Sequence, residues 1–97
     1  MNLSMLKQAR ELKTKLDKAQ KELSNTIVEA SSGKGAVKVI INGQQKIQSI
    51  EISPQVINPD KAEVLEELVL KAVSEAIAKS QKVAAKQLSG LKFPGLT

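Results

Sequence analysis

The first 32 residues contain neither glycine nor proline, and their apolar residues keep a strict rhythm. From Ala9 the intervals are three, four, three and four: Ala9, Leu12, Leu16, Ala19 and Leu23, with Leu6 preceding them. That is the seam of an amphipathic or coiled-coil helix. It predicts a helix over residues 2–24, roughly 34 Å long at ~1.5 Å per residue, ended by Ser24-Asn25-Thr26. A second helix is predicted over residues 60–88. Asn58-Pro59-Asp60 marks its start, and Asp60 with Glu63 has the spacing of a capping box. Val64, Leu65, Leu68, Val69, Ala72, Val73, Ala76 and Ile77 form its apolar stripe, thinning to Val83, Ala84 and Leu88 before Gly90. This helix would reach about 43 Å.

Two helices of that length exceed a compact single domain of 97 residues, whose radius of gyration would be about 13 Å. Their stripes outrun what one small sheet can cover. A second copy in a closed twofold dimer, with protruding helical arms, is the expected remedy.

Between the helices, residues 27–53 carry strand signals. Ile27-Val28-Glu29-Ala30 is β-branched, and Ser31-Ser32-Gly33-Lys34-Gly35 is a turn on composition. Val37, Val39 and Ile41 alternate with Lys38, Ile40 and Asn42, the pattern of a half-buried strand. Asn42-Gly43 is a hairpin signal because both residues tolerate positive φ, with Gln44-Gln45 completing the loop. The shift in parity from Ile47 to Ile50 and Ile52 predicts a bulge or an imperfect register. Pro54 ends the sheet, and residues 90–97 form a loose tail. The fold class is therefore α+β in a single domain, residues 1–97: a three-stranded antiparallel sheet between two long helices.

Composition narrows the chemistry. The chain has no cysteine and no histidine, so thiolate zinc sites and the commonest acid–base and metal-binding side chain are unavailable. No metal site, cofactor or small-molecule substrate is expected. Ser32-Gly33-Lys34-Gly35 lacks phosphate-loop spacing and precedes a strand rather than a helix. The adjacent Glu66 and Glu67 diverge by ~100° on a helix instead of converging on a substrate. No catalytic role is assigned, and an enzyme is not expected. No apolar run approaches the ~20 residues needed to span a bilayer, and no secretion signal opens the chain, which points to the cytoplasm.

Charge supplies the positive argument. Residues 1–24 hold six basic and three acidic side chains, residues 25–60 balance, and residues 61–97 hold six basic against four acidic. After Glu75 no acid follows, while Lys79, Lys82, Lys86 and Lys92 do. On a helical wheel Lys7, Arg10, Lys18 and Lys21 face away from the first helix's seam, with Lys13 on one flank and Lys15 on the other. Such a face is either simply solvated or a ladder of phosphate contacts. Lys79, Lys82 and Lys86 share a face of the second helix, where acids early and lysines late also suit the helix dipole. Phe93 is the only aromatic residue, so base stacking on a single strand is disfavoured. With one arginine among the cations, base-specific reading is disfavoured too.

The stretch from Lys15 through Lys18-Ala19-Gln20-Lys21-Glu22-Leu23 resembles the first helix of the YbaB/EbfC family of bacterial nucleoid-associated proteins. So do Gly35-Ala36-Val37-Lys38-Val39 leading to Asn42-Gly43, and Ile47-Gln48-Ser49-Ile50-Glu51-Ile52 with Pro54. Leu65-Glu66-Glu67-Leu68-Val69, Ala72-Val73-Ser74-Glu75-Ala76 and Gly90-Leu91-Lys92-Phe93-Pro94-Gly95-Leu96 continue the likeness in the same order. The loop before the second strand is poorer in glycine than is usual there, and Ser74-Glu75-Ala76 stands where Asn-Asp-Ala is frequent. The resemblance implies an α-β-β-β-α protomer and a tweezer-like homodimer. It also implies binding to double-stranded DNA in the nucleoid with little sequence preference, influencing nucleoid organisation and gene expression. The candidate DNA-binding residues are Lys7, Arg10, Lys13, Lys18, Lys21, Lys79, Lys82 and Lys86. The candidate dimer-interface residues are Val37, Val39, Ile41, Ile50, Leu68, Val69 and Val73. The alternative is a protein-interaction adaptor that docks a partner on its helical seam, its lysines serving only solubility. A membrane-surface helix is disfavoured by the lack of Trp and Tyr and by the alanines in the apolar face.

Overall fold

Three alternate residues of one strand, Val37, Val39 and Ile41, are fully buried and mark the centre of the molecule. Alternate strand positions share a face, and full burial of each such side chain contributes about 1.5–3 kcal/mol. In the computed structural model, which describes residues 2–91, this strand is β2 (Val37–Asn42), flanked by β1 (Ile27–Ser32) and β3 (Ile47–Ile52). Helix α1 (Leu3–Asn25) precedes the sheet, and α2 (Ala62–Ser89) follows it after 3-10 turns at Pro54–Val56 and Pro59–Lys61. The α-β-β-β-α order is as expected. Met1 and the tail beyond Leu91, including Lys92 and Phe93, lie outside the described residues.

The sheet is antiparallel in the order β1-β2-β3. β1 pairs with β2 without interruption, from Ile27 opposite Asn42 to Ser32 opposite Val37. β2 pairs with β3 from Val37 opposite Ile52 to Ile41 opposite Ile47, with a register shift between Ile40 and Ile41. Ile40 faces Ser49 and Ile41 faces Ile47, so Gln48 is the inserted residue of the bulge that the isoleucine parity predicts. The β1–β2 turn is shorter than composition implied, since β1 runs on through Ser32. Its Gly33, Lys34 and Gly35 all have positive φ, at 61°, 58° and 87°. Glycine at two of these positions reduces the steric cost of that conformation.

α2 crosses β1 and β2 through Ala72, Ala76 and Ser80, spaced by four and all fully buried. Small side chains there let the helix lie close to the sheet. Ala30, Val37, Val39, Ile41, Ala72 and Ala76 form the core, with Val28, Ile52, Leu65, Leu68, Val69, Val73 and Ile77 packed around it. Ser32 Oγ donates to the Leu68 carbonyl at 2.6 Å, tying the end of β1 to α2.

The start of α2 corrects the capping-box expectation. Asp60 is not the N-cap. Asn58 accepts from the Asp60 N–H at 2.9 Å and caps the 3-10 turn, whereas α2 itself begins after Lys61 with no side-chain cap. Pro59, with φ preset for a helical turn, starts the helical geometry ahead of Asp60.

The two helices run antiparallel and meet only near their C-terminal ends, where Leu23 lies beside Ala84 and Leu88 and where Lys15, Lys18 and Ala19 lie beside Gly90 and Leu91. The described chain is consequently long, 68 × 20 × 18 Å with a radius of gyration of 19.3 Å. No helix among the described residues is long and apolar enough to cross a membrane.

Candidate nucleic-acid interface

α1 is a nearly free arm. Asn2 caps its start by accepting from the Met5 N–H at 2.8 Å, and of its seam only Ala19 and Leu23 are buried. Leu16 is 36% exposed and Leu6 40%. Lys7, Arg10, Lys13, Lys18 and Lys21 are all exposed along it. Lys82 and Lys86 are exposed on the last turns of α2, the part that lies against α1. The antiparallel contact therefore places the late lysines of α2 on the same prong as Lys18 and Lys21. Lys7, Arg10 and Lys13 continue toward the tip, past the last described residue of α2.

Few of these cations are neutralised locally. Among the described residues the ion pairs join Lys38 to Glu29 at 3.5 Å and to Glu51 at 3.9 Å, and Lys79 to Glu75 at 3.6 Å. None involves Lys7, Arg10, Lys13, Lys18, Lys21, Lys82 or Lys86. Lys79 is the exception within the predicted set. Besides its ion pair with Glu75, its Nζ donates to the Glu29 carbonyl at 3.3 Å, which ties it to β1 on the body. Three of the four acids of α2, Glu63, Glu66 and Glu67, stand at the opposite end, in its first turns. The described residues thus form a prong with excess positive charge and a mixed-charge body.

The interface residues divide in two. Val37, Val39 and Ile41 are fully buried beneath α2 and present no surface to a second chain. Alternation correctly marks them as inward-facing, but the covering element is the chain's own helix. Ile50 and Ile47 sit opposite Val39 and Ile41 on the same face of the sheet, yet α2 stops short of β3 and leaves them 44% and 43% exposed. On α2 itself runs a shallow groove lined by Ala62, Leu65, Glu66, Val69, Leu70 and Val73. Leu70 is 67% exposed. Leu68, Val69 and Val73 are half-buried at the edge of the core.

Charge periodicity alone gave no hint of the polar joint between prong and body. The Gly43 N–H donates to the Leu23 carbonyl at 2.9 Å, and Asn42 Nδ2 to that of Ser24 at 3.3 Å. Ser80 Oγ donates to the Asn42 carbonyl at 2.6 Å. The available signal was Ser80 itself, a hydroxyl continuing the four-residue spacing of Ala72 and Ala76.

The chain matches the YbaB/EbfC DNA-binding family over residues 1–96. It is 40% identical over 96 residues to a nucleoid-associated protein of Pelotomaculum thermopropionicum, covering 95% of this chain and 91% of that one. It is likewise 40% identical over 97 residues to a nucleoid-associated protein of Thermoanaerobacter pseudethanolicus, covering 96% and 87%. The fold is similar to that of an uncharacterized Helicobacter pylori protein of known crystal structure, with a TM-score of 0.71 at 16% identity over 84% of this chain and 95% of that one. The family match runs through both cationic helices and the sheet that joins them, and this chain belongs to the YbaB/EbfC DNA-binding family.

Proposed function

We propose that the protein is a nucleoid-associated homodimer that grips double-stranded DNA through phosphate contacts on its helical prongs, with little preference for sequence. The observation that carries this reading is the set of exposed cations on α1, Lys7, Arg10, Lys13, Lys18 and Lys21, none held in an ion pair among the described residues. Lys82 and Lys86 add to the same prong. Lysine ammonium groups bind phosphate oxygens as point charges and carry no base code. Names of relatives at 40% identity support the nucleoid as its place of action.

The dimer follows from what α2 leaves uncovered. Ile47 and Ile50 on the open edge strand β3, and separately the Leu65–Val73 groove on α2, are apolar surfaces that a monomer would expose, the first together with open backbone groups. A twofold partner covers each copy's patch with its mate's. Two prongs per dimer then engage one duplex.

A mobility-shift assay on two unrelated duplexes, with single strands as competitor, tests the proposal. Both duplexes should bind alike. With Z phosphate contacts, log affinity should fall with log salt at a slope of about −0.9Z. Binding that survives unchanged from low to high ionic strength refutes the electrostatic grip. A second reading draws on the open seam at Leu6 and Leu16: an adaptor that docks a partner protein there. A stoichiometric protein complex together with no duplex shift by the pure protein would favour it.

A further inference from the structure

The last turn of a helix leaves carbonyls without partners inside it. At the end of α1 these carbonyls are met partly by Thr26, whose N–H donates to Leu23 O at 3.2 Å and whose Oγ1 donates to Glu22 O at 2.7 Å, and partly by a different element, the turn between β2 and β3. Its Gly43 N–H reaches Leu23 O at 2.9 Å and Thr26 O at 2.9 Å. Asn42 Nδ2 reaches Ser24 O at 3.3 Å, and Gln44 Nε2 reaches Gln20 O at 3.0 Å and Gln20 Oε1 at 3.1 Å. The turn is itself braced. Asn42 Oδ1 accepts from the N–H groups of Gln44 and Lys46 at 2.9 and 3.0 Å, and Gln45 Nε2 donates to the buried Ser80 Oγ at 3.2 Å. Gln45 holds a positive φ of 63° to do so.

Gly43 is needed here for room. Its own φ is not positive. A Cβ at this position would lie 2.9 Å from the Leu23 carbonyl oxygen, 2.9 Å from Leu23 Cδ2 and 3.2 Å from Leu23 Cα. Two of those atoms are backbone, so any side chain must push α1 aside.

We infer that the turn at residues 42–46 is the positioning element of the DNA-binding prong, with Gly43 and Gln44 setting the angle at which α1 carries its cations. The geometry stands independently of ligand; its consequence for DNA rests on the duplex-binding reading above. Leverage makes the angle matter. α1 is 23 residues long and is held at one end, so a tilt of about 10° moves its tip by roughly 5 Å. Successive phosphates along one strand rise by only about 3.4 Å. A small error at the joint therefore takes the tip cations out of register with the backbone they grip.

The test compares Gly43→Ala and Gln44→Ala with Gln55→Ala, an equivalent change on the exposed 3-10 turn away from the joint. Because the chain has no cysteine, spin labels attach only where cysteines are introduced. Leu3→Cys at the tip and Ser31→Cys on the body give a tip-to-body distance distribution, with labelled chain diluted into unlabelled chain. Gln44→Ala should keep its circular dichroism, broaden or shift that distribution, lower duplex affinity about 3- to 10-fold and flatten the salt slope by about 1–2. Gly43→Ala should do the same more strongly, and Gln55→Ala should do neither. Folded Gln44→Ala and Gly43→Ala with the wild-type distribution and slope overturn the inference. If the wild type itself fails to bind duplex, the function proposed above fails, while the distance distribution still decides whether the turn sets the prong.

Discussion

α1 and α2 present the same kind of sequence, long, amphipathic and lysine-bearing, yet the fold treats them differently. α2 is fixed along its middle, where Ala72, Ala76 and Ser80 are fully buried against β1 and β2. Among the described residues α1 is fixed mainly toward its C-terminal end, through the buried Ala19 and Leu23 and the hydrogen bonds from Asn42, Gly43 and Gln44. An apolar stripe therefore reports the need for a cover without naming the cover. For α2 the cover is the chain's own sheet. For most of α1, no element among the described residues covers the stripe, and Leu6 and Leu16 stay 40% and 36% exposed.

The largest effect expected from this contrast is on stability. Ile41, fully buried under α2, should lose about 2–5 kcal/mol on truncation to alanine, because a cavity is left where the sheet meets the helix. Leu16→Ala on the open seam of α1 should cost about 0.5 kcal/mol or less. Urea unfolding at one fixed protein concentration measures both, since the stability of the proposed dimer would depend on concentration. Equal costs would mean that the α1 seam is covered after all, and a partner chain would then be the first place to look.

A second experiment separates the two edges of the sheet face. Ile50 shares its face with Val39 but lies beyond the reach of α2. Ile50→Lys should weaken the proposed dimer by at least about 2 kcal/mol, roughly 30-fold in its dissociation constant, while the protomer keeps its secondary structure. Sedimentation equilibrium reads this directly. An unchanged dimer would move the subunit contact away from β3.

The pattern of what could be read in advance follows from this difference between local and tertiary causes. Both helices, the three strands and the bulge at Gln48 were legible because each is written in the spacing of neighbouring residues. The exposure of the α1 cations was legible for the same reason, since Lys7, Arg10, Lys13, Lys18 and Lys21 stand outside the seam of the helix and are exposed among the described residues. Three features depended on distant partners and were not. Asn42-Gly43 marks the hairpin correctly, but for the wrong reason: the positive φ falls on Gln45, and glycine is needed because Leu23 arrives from another element. Val37, Val39 and Ile41 face inward as alternation says, but onto their own helix rather than a second subunit. Lys79 shares a helical face with Lys82 and Lys86, yet the fold brings the Glu29 carbonyl to it.

Lys79 and Lys86 therefore offer the finest division between body and prong. They are two turns apart on α2 and formally identical. Lys79 is held by Glu75 and by β1, in an exposed pair of the kind worth about 0–1 kcal/mol. Lys86 is exposed on the last turn of α2, beside α1, and has no ion pair among the described residues. Lys79→Ala should shift the unfolding midpoint slightly and leave the salt dependence of duplex binding as it is. Lys86→Ala should leave the midpoint and flatten the slope by about 0.9, the release of one phosphate contact. Salt titrations and urea curves on the two variants give four numbers. Should both lysines flatten the slope equally, Lys79 exchanges Glu75 for phosphate when DNA binds, and the cationic surface continues from the prong onto the body.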